Sequence, residues 1–220
     1  MLAWRTYYLI SIKFQFLPIH EFFQRFLLGI RQTSALEFVA VITGIASVIF
    51  SRMENILVYP VGMVSTTIFI FLYLTHGLYA DATVNFYYTV MSIVGWVMWA
   101  QKKEGQKLLK ITRSNGKEWR TAILFFGICW TILYFILEKY TDSTVPLADS
   151  FTSASAYTGM WLMNKKKLEN WTWWIITDLA SVPLNFYKHL EFTSFQYLVF
   201  LVLAVMGYFS WSKKVEHAIT

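Results

Sequence analysis

Charge is scarce in this chain of 220 residues: Asp, Glu, Lys and Arg together make up 15%, against roughly 25% in an average soluble domain. That shortage excludes an ordinary water-soluble fold. A single cysteine, Cys129, sits in the apolar run 123–137, which excludes an intramolecular disulfide framework and any thiolate metal site. Cys129 reads as a small buried hydrophobe. The four histidines, His20, His76, His189 and His217, are scattered without ligand spacing, so no metal or other cofactor is expected. There is no glycine-rich phosphate loop and no Ser/His/Asp constellation, which excludes ATP-driven pumping by this chain and gives no ground for an enzyme. The first residues lack a clean apolar core followed by small residues, so no cleavable signal peptide is expected.

What the chain has in excess is apolar and aromatic mass. Hydrophobic residues make up 56% and aromatic ones 19%, with 10 Trp, 13 Tyr and 19 Phe, as when most side chains face lipid or other helices. Apolar stretches of helical length occur at 36–51, 56–75, 84–101, 119–137, 145–163, 171–188 and 194–211. The fifth is interrupted by Asp149, Ser150, Thr152, Ser153, Ser155 and Thr158; small hydroxyl residues of this kind suit close packing between membrane helices. Residues 1–33 mix aromatics with Arg5, Lys13, His20, Glu21 and Arg25 around Pro18, an amphipathic, interfacial pattern rather than an eighth span.

Two halves of the chain keep step. At an offset of 115, Thr43-Gly44 falls on Thr158-Gly159, Glu54-Asn55 on Glu169-Asn170 and Phe71 on Phe186. Beyond residue 81 the offset becomes 112, and Gly95, Trp99 and Lys102 meet Gly207, Trp211 and Lys214. Spans one to three therefore correspond to spans five to seven. Two odd-numbered units insert in the same sense only if one further span separates them. The expected architecture is an all-α integral membrane protein of 3+1+3 transmembrane helices with two parallel three-helix repeats. Its parts are the segment 1–33, a first repeat over 34–104, a basic cytoplasmic loop and linker helix over 105–140, a second repeat over 141–214 and a tail over 215–220.

Of the 19 Lys and Arg, 13 fall on one side of the seven spans. That side is expected to be cytoplasmic, with the C-terminus inside. The basic run Lys102 to Arg120 then reads as an orientation signal, so no nucleic-acid partner is expected; the bilayer itself is the partner.

Ionisable groups at membrane depth are expensive and mark candidate sites. Asp178 is the leading one, seven residues into its span. On a helical wheel Trp171, Trp174, Asp178, Ser181 and Asn185 fall at about 0, −60, −20, −80 and −40°, a single narrow stripe. In the third span Asn85, Tyr88, Ser92, Trp96 and Trp99 form a similar stripe, and the seventh supplies Gln196 and Tyr197. The candidate binding residues are thus Trp171, Trp174, Asp178, Asn185, Gln196, Asn85, Tyr88, Ser92 and Trp96. Each has a plainer alternative: Trp171 as a headgroup anchor, Asp178 as a structural ion pair, Asn185 as an interhelical hydrogen-bonder. Pro60 and Pro183 are either hinges or static bends.

Leu78-Tyr79-Ala80-Asp81 with Asn85, Tyr87-Tyr88, Gly95-Trp96 and Trp99 resembles the first-repeat signature of the PnuC-type nicotinamide riboside (vitamin) transporters. Glu169-Asn170-Trp171 with Trp174, Asp178, Val182-Pro183-Leu184 and Tyr187-Lys188 resembles the second. The likeness runs from about residue 35 to 214. It implies a SWEET-like fold, a homo-trimer in the bacterial inner membrane, and facilitated diffusion of nicotinamide riboside or a related vitamin, trapped by a cytoplasmic nicotinamide riboside kinase. The aromatic stripes and Asp178 suit a flat cation, and the lack of Lys or Arg at depth predicts rejection of the phosphorylated nucleotide. Proton coupling, transport of thiamin or another vitamin, and a membrane-embedded enzyme or sensor using Asp178 are the alternatives.

Overall fold

The computed structural model describes residues 24, 27, 34–75, 79–103, 106–107, 109–141, 143–188 and 190–217. The segment expected to lie at the interface, 1–33, thus falls outside the described residues apart from two helical positions, Gln24 and Leu27. From residue 34 onward the described residues form α1 (Ala35–Arg52), α2 (Val58–Thr75), α3 (Tyr79–Ala100), α4 (Gly116–Tyr140), α5 (Pro146–Asn164), α6 (Asn170–Tyr187) and α7 (Glu191–His217). Each expected span coincides with one helix. At 1.5 Å per residue, helices of 18 to 27 residues run about 27–40 Å, enough for a hydrocarbon core of about 30 Å. The loop after α3 adds a feature that the sequence reading does not contain, a short antiparallel pairing of Lys102–Lys103 (β1) with Gln106–Lys107 (β2).

Local chemistry sets the helix ends. Ser34 caps α1 by accepting from the Glu37 amide at 3.1 Å. At α4, Asn115 accepts from the Lys117 and Glu118 amides while the Glu118 carboxylate accepts from the Asn115 amide at 2.9 Å, a reciprocal capping box. Replacing Asn115 with Ala is expected to cost about 1 kcal/mol of stability, read as a lower melting temperature in detergent. An unchanged melting temperature would show that the box is dispensable.

Each helix packs on its chain neighbours within the triplets α1–α2–α3 and α5–α6–α7, and the triplets meet where α3 lies on α5 and α7 on α1. Six helices thus close a ring, and α4 lies outside it against α5. This arrangement explains the polar fifth span. With α3, α4 and α6 around it, α5 has seven consecutive buried residues, 154–160, and almost no lipid-facing side. Small Ser, Thr, Ala and Gly side chains there allow close helix approach. By contrast, α1 exposes Phe38, Val39, Ile42 and Ile49. Four helices, α1, α2, α4 and α7, are long and apolar enough to cross a membrane by composition alone; α3, α5 and α6 carry the polar residues.

The backbone corrects the repeat register. The α1–α2 turn bonds Glu54 N to Ser51 O, Asn55 N to Phe50 O and Val58 N to Asn55 O; the α5–α6 turn bonds Lys166 N to Met163 O, Lys167 N to Leu162 O and Asn170 N to Lys167 O. Equivalent positions differ by 112, as do Glu54 and Lys166 themselves, so 112 holds from α1 onward and the offset of 115 in the first two spans does not. Glu54 therefore corresponds to Lys166, not to Glu169. Identities among apolar residues drift freely, whereas a turn must keep its length to join two packed helices.

Both turns are Schellman motifs. Their left-handed residues, Glu54 at φ 60° and Lys166 at φ 52°, occupy the position where glycine is usual, at about 1–2 kcal/mol of strain each. Nearby, Trp99 Nε1 donates to the carbonyls ending α5, Met163 and Asn164, while Trp211 Nε1 donates to those ending α1, Ser51 and Arg52. Each triplet's last helix thereby caps the other triplet's first. Tyr59 packs edge-on to Trp99 at 5.2 Å, and Trp171 edge-on to Trp211 at 5.6 Å.

Candidate functional site

Asp178 is the ninth residue of α6, about 12 Å from the helix start, and is 3% exposed. Among the described residues nothing donates a hydrogen bond to it and no cation pairs with it. Around it stand aromatic rings from the other ring helices. Tyr88 of α3 lies within electrostatic reach of Asp178, of Tyr157 on α5 and of Tyr197 on α7. Its ring is 6.1 Å from Tyr157, at right angles, and 6.4 Å from Trp174. Tyr157 is held by stacking on Tyr87 at 4.0 Å, and Tyr87 donates its hydroxyl to the Tyr157 carbonyl at 3.2 Å. Tyr197 lies within hydrogen-bonding reach of Ser181, one turn from Asp178.

Trp174 owes its place to a glycine. A Cβ on Gly159 would sit 3.2 Å from the Trp174 indole, so α5 is bare where the ring lies on it. In the other triplet the equivalent pair is Gly62 and Ser47, a small residue on a small one. The two triplets thus differ at these positions: one supplies a large aromatic face, the other supplies room.

The structure gathers some expected site residues and separates others. Tyr88, Trp174 and Asp178 converge. Ser92 is buried one turn along α3 from Tyr88. Asn85 and Asn185 each spend one amide hydrogen on their own helix, donating to Asp81 O at 2.9 Å and Ser181 O at 2.8 Å, and each retains a carbonyl oxygen. Gln196 is half-buried on α7 beside Tyr197. Two residues stand apart from this group. Trp96 is 41% exposed, at the edge of the α3 stripe whose other members Ser92 and Trp99 are buried. Trp171 is 1% exposed and wedged against Gly207, where a Cβ would come within 2.6 Å of the ring; it is built into the wall of the ring rather than set as a headgroup anchor.

Tyr197, which the sequence places beside Gln196 on the seventh span, joins the cluster, and so does Tyr157, which the sequence reading does not name. Tyr157 carried one signal, being the only ring in the small-residue run 152–160. Tyr73 is a further candidate, since it corresponds to Asn185 at the offset of 112 and has Tyr197 and Asp81 within electrostatic reach. A lateral cleft of about 610 Å³ between α4 and the α5–α6 pair, lined by Trp130, Tyr134, Glu138 and Phe151, shares no residue with the cluster.

The two ends of the ring differ in charge. One gathers Arg52, Lys166, Lys167 and Lys214, with Glu54 taking Lys166 at 2.6 Å and Lys214 at 3.0 Å. Burial raises the Glu54 carboxyl, but hydrogen bonds from Lys166 and Lys214 outweigh it and hold the group below its ordinary value. At the other end Lys188 is held by Asp149 at 2.5 Å, Ser143 donates to the same carboxylate, and Asp81 is within reach of both.

A ring of membrane-spanning helices around a buried carboxylate and an aromatic lining defines a multi-pass membrane transporter. The model of the family described as nicotinamide mononucleotide transporter matches residues 34–213, and the chain belongs to that family, the PnuC transporters. Relatives include the nicotinamide riboside transporter PnuC of Neisseria mucosa, 25% identical over 81% of this chain and 72% of that one. That of Escherichia coli is 22% identical over 81% and 85%. The riboflavin/roseoflavin transporter RibM of Streptomyces davaonensis is 24% identical over 55% and 58%. The crystal structure of the vitamin B3 transporter PnuC superposes with a TM-score of 0.69 at 21% identity, covering 90% of each chain, and so shares the fold.

Proposed function

We propose that the protein carries nicotinamide riboside across the bacterial inner membrane by uniport, the pyridinium ring lying among Trp174, Tyr88, Tyr157 and Tyr197 with Asp178 balancing its charge. One observation carries the reading: a carboxylate buried at mid-span with no donor and no cation of its own among the described residues. An ion so placed is costly unless something pairs with it, and a cationic aromatic substrate would do so. Aromatic faces attract a desolvated cation by roughly 2 kcal/mol. Asn85, Asn185, Gln196 and Ser92 have hydrogen-bonding capacity for the carboxamide and ribose, and the names of the Neisseria and Escherichia relatives favour this ligand.

The mononucleotide in the family's description fits less well. The Lys and Arg of the described helices lie near helix ends, so a phosphate would meet Asp178 rather than a cation. The acidic groups Asp81 and Asp149 at the Lys-poor end would draw a cation inward. The 3+1+3 organisation with parallel repeats over 34–104 and 141–214 is part of the proposal, supported by the shared turn register and by α4 lying outside the ring. The Lys-rich end is assigned to the cytoplasm by its charge, with the C-terminus inside. The homo-trimer and the cytoplasmic kinase implied by the family resemblance complete it.

Calorimetry on the purified protein with nicotinamide riboside, its mononucleotide, thiamin and riboflavin tests the ligand. The riboside should bind and the mononucleotide should not. Asp178→Asn should weaken riboside binding at least about tenfold, or 1.4 kcal/mol; an unchanged affinity removes the counter-charge. Uptake into proteoliposomes should proceed without an ion gradient, and strict dependence on a proton gradient overturns uniport.

A further inference from the structure

The Lys-rich end holds a device that substrate binding does not use. Glu54 and Lys166 are equivalent residues of the two triplets, both in the left-handed position of a Schellman turn where glycine would be unstrained. They reach across the internal symmetry axis to each other at 2.6 Å. Lys166 is 1% exposed and lies 4.5 Å over the Trp99 ring, and Lys214 of α7 holds the second Glu54 oxygen. Beside the pair, Ser51 Oγ touches Met163 Sδ at 3.3 Å, again two equivalent residues meeting on the axis. A buried ion pair stabilises little on balance, and both residues carry backbone strain. Two unfavourable choices at matched positions are poorly explained by stability and well explained by a contact that must form and break.

We propose that Glu54 and Lys166 form the latch of a gate at the Lys-rich end of the helix ring, closed in this structure, which parts when one triplet rocks against the other to release the carried molecule. The proposal rests on the transport reading. The latch is bistable: closed, it satisfies both charges; open, each gains water. The indole bonds from Trp99 and Trp211 to the opposite triplet close the same end, so rocking separates all of these contacts together.

The test uses the full chain in detergent with Cys129→Ala and Ser51→Cys. Ser51 is 2% exposed, so its reaction with a membrane-impermeant maleimide reads gate opening and needs no substrate. Glu54→Gly is made alone and together with Lys166→Gly; the single variant removes the charge while relieving its turn, and the double variant leaves no buried ammonium behind. Each should speed labelling about tenfold, and Glu54→Asp should label more slowly than Glu54→Gly. Labelling within twofold of the parent, with a monodisperse folded protein, overturns the latch. In a second variant, Ser51→Cys with Met163→Cys, oxidation should stop uptake in proteoliposomes and reduction restore it; uptake that continues with the disulfide complete overturns the gate. If no ligand is taken up by the parent, the transport reading fails, while maleimide labelling still decides the latch.

Discussion

Replacing Trp174 with Ala is expected to raise the dissociation constant for nicotinamide riboside about 30-fold, corresponding to roughly 2 kcal/mol of lost cation–π and stacking attraction. The ring is preorganised, lying against Gly159 where an added Cβ would come within 3.2 Å of it, and tilted toward Tyr88, so a ligand meets it without reorganising the helix. The same geometry supplies an independent check. Gly159→Leu leaves Trp174 in the sequence but removes its seat, and should weaken binding comparably. Conversely, Gly62→Trp would rebuild the missing half of the pair and fill the room that the first triplet leaves. Calorimetry on the three variants decides. Affinity unchanged in both Trp174→Ala and Gly159→Leu would remove the indole from the site.

The largest effect on stability is expected from Gly95→Ala. A Cβ there would collide with Asn164 Oδ1 and with the Tyr59 ring, and neither can yield. Asn164 is buried, accepts from the Tyr59 hydroxyl at 3.2 Å, donates to Met91 O at 2.8 Å and lends its own carbonyl to Trp99. Tyr59 is fully buried. Overpacking a rigid contact costs about 1–3 kcal/mol, and breaking a buried hydrogen bond adds about 1–3 more. The loss of about 3 kcal/mol or more should appear as a steep fall in melting temperature in detergent. Gly127→Ala is the control: nothing lies within 4 Å of the added methyl on α4, so it should be neutral or slightly stabilising. Equal melting temperatures for the two variants would refute the packing argument.

Candidate residues were legible in the sequence to different degrees. Asp178 stood out because burying a carboxylate in a span is costly wherever its neighbours lie. Trp96 and Trp174 looked alike on their wheels, yet one faces outward at 41% exposure and the other joins Tyr88. A wheel gives a side chain's angle about its own helix but not that helix's rotation against its partners. Tyr157 escaped notice for the same reason: no stripe on α5 can be told from another when nearly every face is buried.

The sequence by itself determined the medium and the elements. Scarce charge, apolar runs of helical length and a one-sided excess of Lys and Arg are properties of composition and local order, and the seven helices lie where those runs are. Only the tertiary structure decided which faces meet. It closed six helices into a ring, surrounded α5, moved Trp171 into the wall and set the repeat register at 112 by pairing Glu54 with Lys166. Those outcomes depend on contacts between residues far apart in the chain, where the cost of burying each group is shared with partners that no local pattern names.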